Sequence, residues 1–131
     1  MVDCENEVYT RVATALREQF SNLDMSGDYT LAPSSFPHVV LYESDNSVAT
    51  RYTAQDSEMD QVTFTVEVYS NKAIGKKAEA KKIMAAVDDV MFSMNAERLS
   101  KLPIANLNNA SIFRFVARYR VLTDGVNFYR R

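Results

Sequence analysis

Three arginines alternate with apolar residues in SIFRFVARYRVL, residues 111–122. In an extended strand Phe113, Phe115, Ala117, Tyr119 and Val121 project to one side, and Ile112, Arg114, Val116, Arg118 and Arg120 to the other. Such a basic strip can pair across strands with Glu67 and solvate an open sheet face. It can also take a neighbouring subunit or the phosphates of passing DNA. Two carboxylate pairs, Glu43 with Asp45 and Glu58 with Asp60, have the two-residue spacing that can hold Mg²⁺ for phosphoryl chemistry. No lysine accompanies them at short spacing, and both pairs fall in polar turns, so solvated turns account for them better than catalysis. Lys72, Lys76, Lys77, Lys81 and Lys82 gather where a helix is expected to begin, against the helix dipole. They fit a solvated face or a docking patch. Cys4 has no histidine nearby in sequence, and Ser34-Ser35 and Gly75-Lys76-Lys77 match no phosphate-cradling loop. Residue chemistry therefore points to a protein that works by contacts, without catalysis and without a cofactor.

The composition narrows the partners. The chain has 131 residues, 47% hydrophobic and 24% charged, which suits one soluble globular domain over residues 1–131. A net charge of −2 gives no bulk positive field for nucleic acid. A single cysteine allows no intrachain disulfide, and one histidine, His38, is too few for an ordinary zinc site. The polar, acidic opening MVDCENEVYT does not read as a signal peptide, and no apolar run approaches a membrane span.

The elements that must position these groups follow from hydrophobic period. Asp3 is expected to cap a first helix with Glu5 and Glu7 in its first turn and Val8, Val12, Ala15, Leu16, Gln19, Phe20 and Leu23 along its buried stripe. It should end near Ser21–Asp24, with a turn at Ser26-Gly27-Asp28 and an extended connection over Ala32–Pro37. Strands are predicted over His38–Tyr42 and Ser47–Ala54, then an acidic turn Gln55–Asp60 that projects from the body. Val62, Phe64, Val66 and Val68 alternate with polar residues, which predicts a half-buried strand to Tyr69. The period then lengthens: Ala80, Ile83, Met84, Val87, Met91 and Met94 mark a helix over roughly Lys76–Asn95. A short strand Arg98–Leu102 stopped by Pro103, a loop Ala105–Asn109, a long strand Ala110–Leu122, a hairpin turn at Asp124-Gly125 and a closing strand complete the chain. The predicted fold is α+β, an antiparallel sheet of about five strands with two helices packed on one face.

VEVYSNK at Val66–Lys72 and GKKAEAKKIMAAVDDVM at Gly75–Met91 resemble small proteins of tailed bacteriophages and prophages. So do DCENEVYTRVATALREQF at Asp3–Phe20, SSFPHVVLYESDN at Ser34–Asn46 and IFRFVARYRV at Ile112–Val121. The resemblance is to the tail terminator and tail-completion proteins, also described as head–tail joining or minor capsid proteins. It implies a virion protein assembled in the bacterial cytoplasm, which forms a ring of usually six copies. The ring would cap the last layer of the tail tube protein, stop polymerisation and offer its upper surface to the head–tail connector. It would touch the sheath in contractile tails and let DNA through as cargo. Glu58 and Asp60 of one subunit are expected to meet Lys76, Lys77 or the row of Arg114, Arg118 and Arg120 on the next. A connector stopper or minor tail protein is the alternative, and a small nucleic-acid-binding module a more distant one.

Overall fold

The computed structural model describes residues 2–27, 35–52, 57–104 and 111–129, with backbone alone at 49–52 and 57–58. The elements run α1 (Glu5–Gln19), β1 (Asp24–Ser26), β2 (His38–Tyr52), β3 (Ser57–Ser70), α2 (Lys76–Ser93), β4 (Glu97–Ile104), β5 (Phe113–Thr123) and β6 (Phe128–Tyr129). The sheet has six strands in the order β1-β2-β3-β5-β4, with β6 added to the end of β5. The predicted α+β class holds, but the sheet is mixed: β1 pairs with β2 in parallel, Asp24 opposite His38. The sequence signal there was only a turn, because three residues carry no readable period.

One face of the sheet takes both helices. Val39 and Leu41 of β2, Val62, Phe64, Val66 and Val68 of β3, and Phe115, Ala117, Tyr119 and Val121 of β5 meet Val8, Val12, Ala13 and Leu16 of α1. From α2 they meet Ala80, Ile83, Met84, Val87 and Met91. Full burial of each large apolar side chain contributes about 1.5–3 kcal/mol. The methionines of α2 fill this core. The helices run in opposite directions. Val2, just before α1, bonds to Asp60 and Asn46, whereas α2 begins where Glu79 Oε1 takes the Ser70 hydroxyl at 2.6 Å, at the other end of β3.

Several predicted boundaries move for identifiable reasons. Cys4, not Asp3, is the N-cap of α1. Asp3 accepts the Glu5 N–H at 3.2 Å from one position further out. Gln19 is exposed, and Ala13 is buried in its stead. The two strands foreseen over His38–Tyr42 and Ser47–Ala54 are one bent strand, with register shifts between Glu43 and Asp45 and between Val48 and Thr50. Ser57–Asp60 belong to strand β3, while 53–56, the rest of the acidic turn, lie outside the described residues, as do 28–34 and the Ala105–Asn109 loop. Pro103 does not stop β4 but pairs opposite Phe115 within it. An edge strand tolerates a residue without an N–H. The strand predicted to be half-buried, β3, is buried on both faces. Thr63, Thr65, Glu67 and Tyr69 are buried like the apolar set, because β3 lies between β2 and β5.

Asp124 builds the β5–β6 turn. Its carboxylate accepts the N–H groups of Val126 (2.9 Å) and Asn127 (2.8 Å) and the Tyr129 hydroxyl (2.6 Å). Gly125 supplies the positive φ of +96° that this turn requires.

Two outcomes test this packing. Phe64→Ala should cost about 3–5 kcal/mol by denaturant unfolding, the range for emptying a buried aromatic site. The Tyr129 and backbone hydrogen bonds hold the Asp124 carboxyl down at about 2. A depressed folded value means that its contribution is present above the ordinary carboxylate range and is lost as pH falls towards 2. An NMR titration should place its midpoint there, and Tyr129→Phe should raise it.

Candidate partner-contact surfaces

The arginine row lies where its alternation placed it, on the sheet face opposite the helices, but its three members differ. Arg114 Nε donates to Glu67 Oε1 at 2.7 Å, and its Nη2 bonds the same oxygen. The guanidinium also stacks 5.8 Å over the Tyr69 ring, whose hydroxyl reaches Glu67 Oε1 at 3.2 Å. Glu67 is only 1% exposed, so this is a buried pair and not a solvated one. Arg120 bonds Glu97 at 3.0 Å on the surface. Arg118 is exposed and has no partner among the described residues. The cross-strand pairing expected with Glu67 therefore belongs to Arg114, and Arg118 alone offers an uncommitted charge.

The carboxylate pairs separate. The register shift at Ser44 sets Glu43 opposite Phe64 on the helix face and Asp45 opposite Thr63 on the other face, so they do not share a site. Glu43 instead points towards Glu5, whose Oε2 accepts the Glu43 N–H at 2.6 Å. Burial and the Glu5 charge push the Glu43 carboxyl above its ordinary value. Asp60 is 1% exposed and accepts the Val2 N–H at 2.7 Å, so it anchors the N-terminal segment and cannot meet a neighbour. Acidic character alone does not turn Asp60 outward. A buried carboxylate is stable when it has a donor, and Val2 provides one. Glu58 stands opposite Arg51 near the far end of the β2–β3 ribbon. Cys4 is buried, and burial with Glu43, Glu7 and Asp3 nearby pushes its thiol up to about 12. Among the described residues no group of three His, Cys, Asp or Glu side chains is placed to hold a metal.

The lysines surround the start of α2, where Lys72, Lys77, Lys81 and Lys82 are exposed and Lys76 Nζ reaches the Ser111 carbonyl at 3.3 Å. Gly75 caps this helix with φ +86° and no side-chain hydrogen bond. The sequence did not reveal the opposite end of α2. There Asp88, Phe92, Asn95, Ala96, Glu97, Arg98 and Tyr119 line a groove of about 650 Å³. Asp88 accepts the Tyr119 hydroxyl at 3.0 Å and Arg98 Nη1 at 3.1 Å, while Phe92 is 76% exposed. The one available signal was Phe92 itself, an aromatic on the polar side of an amphipathic helix. Acids and bases here neutralise one another, leaving a surface suited to packing more than to proton transfer.

Two helices packed on one face of a mixed six-stranded sheet define a small α+β domain. Residues 7–124 match the model for "Tail completion protein gp17", and the chain belongs to that family of bacteriophage tail proteins. Among solved structures, a chain described as "Virion of native gene transfer agent (GTA) particle" has the same fold. Its TM-score is 0.65 at 18% identity, over 90% of this chain and 92% of that one. No curated protein gave a sequence match. No helix among the described residues is long and apolar enough to cross a membrane.

Burial ranks the two ion pairs. Glu67→Ala should cost about 3 kcal/mol or more in denaturant unfolding, because it strands a largely buried Arg114. Glu97→Ala, which releases a surface Arg120, should cost about 1 kcal/mol or less.

Proposed function

We propose that this protein completes the tail as a ring of six copies. The ring sits on the last layer of the tail tube protein, ends its polymerisation and presents its other side to the head–tail connector. In a contractile tail it also touches the sheath. The match to the tail completion family over residues 7–124, which takes in both helices and the sheet core, is the observation that carries this reading. A ring needs heterologous contacts whose rotation closes. From the set of charges expected at such contacts, Lys76, Lys77 and Arg118 stand at the surface, and Glu58 keeps its place at the far end of the β2–β3 ribbon. Asp60 leaves the set, and Arg114 and Arg120 serve their own chain.

The protein acts without catalysis, its polar groups being committed to structure. Its sheet face also suits DNA as passing cargo. With Arg114 and Arg120 neutralised by Glu67 and Glu97, Arg118 leaves a weak positive field. A weak field lets phosphates slide, because tight binding scales with the number of phosphates neutralised.

Deleting the gene and imaging the particles tests the proposal. Tails of unregulated length beside unattached, filled heads are expected. Normal-length tails fastened to heads would overturn it.

A further inference from the structure

We infer that the turn carrying Ile74 on one copy seats in the Phe92 groove of the next. The contact is head-to-tail and rests on the ring proposed above. Ile74 is 87% exposed, the most exposed large hydrophobic among the described residues, in the turn that leads into α2. Gly75, with its positive φ, sets the angle at which this turn leaves the helix. Lys72, Lys76 and Lys77 flank it.

The groove at the other end of α2 has the complementary character. Phe92 and Ala96 are its apolar lining, and Asp88 and Glu97 stand among the other lining residues, with Asp89 exposed alongside. Arg98 answers Asp88, and Arg120 answers Glu97, which leaves Asp89 without a partner among the described residues. Lysines at a helix start and aspartates at its finish both oppose the macrodipole, so the dipole favours neither set in the monomer. Across an interface the arrangement reverses in sign: the basic turn of one copy faces Asp89 beside the groove of the next. Knob and groove sit at opposite ends of an 18-residue helix, about 27 Å apart at 1.5 Å per residue. One copy cannot fill its own groove, so the contact repeats from copy to copy, as a closed ring demands. A solvent-exposed isoleucine entering an aromatic-lined groove has the character of an interface anchor, with the charges setting register and encounter rate.

The test uses the full chain in solution and particles carrying the same variants. Ile74→Cys and Phe92→Cys are made separately, mixed and oxidised; the native thiol is buried. A covalent dimer should form in the mixture and not from either variant alone. Ile74→Asp should weaken self-association roughly tenfold or more in sedimentation, as loss of an anchor does. Added salt should weaken the wild type. Oligomers that form without the mixed cross-link, or that cross-link Ile74→Cys to itself, would overturn this contact and leave the ring standing. A wild-type chain monomeric in solution and present as single copies in particles would overturn both.

Discussion

Everything in this molecule is arranged around β3, whose stretch Val62–Ser70 is buried on both faces. β3 carries valines and a phenylalanine towards the helices and Thr63, Thr65, Glu67 and Tyr69 towards the other face, and both rows are buried. The first row is held by the apolar contacts of two antiparallel helices. The second would be unstable without donors, since an unpaired buried carboxylate costs several kcal/mol. Arg114 and the Tyr69 hydroxyl supply them, both at Glu67 Oε1. Thr65 adds a bond to Ser44 at 2.9 Å, which fixes the bulge that turns β2. The register of three strands is thus locked by polar contacts on one face and by hydrophobic packing on the other. A slip of one residue would exchange the two faces and break both.

Much of this was legible in the residues. The change of period after Ser70 located the end of β3 and both ends of α2 to within two residues, though not the start of β3 at Ser57, and strict alternation placed every arginine of β5 on its correct face. The features that escaped depend on neighbours. Whether Thr63 or Glu67 is wet depends on what lies beside β3, and no pattern along β3 records that. The direction of Asp60 depends on Val2, 58 residues away. The parallel strand β1 is too short to show a period. Pro103 read as a stop because its cost depends on whether a strand is central or at the edge, and only the sheet order reveals that.

The division of charge explains why a protein with so few available functional groups can have a specific role. Its acids and bases fall into those that hold the fold, such as Glu67, Arg114 and Asp60, and those left at the surface, such as Arg118 and the lysines of α2. The first group is expensive to disturb and fixes one shape. The second costs little in the monomer and is free to be shaped by partners. That division suits the proposed role, in which recognition would reside in complementary surfaces held by the fold.

The sealed environment of Cys4 bears on the life of a virion after it leaves its host. A thiol whose pKa lies near 12 holds almost no thiolate at neutral pH, and the reactive form is the thiolate. Once released into aerated surroundings, a particle carries one such sulfur in each copy of this chain. Because each is buried, neither peroxide nor a stray disulfide can easily couple one copy to another or swell the core with oxygen atoms. The same burial that packs the start of α1 therefore also shields this sulfur from oxidation outside the cell.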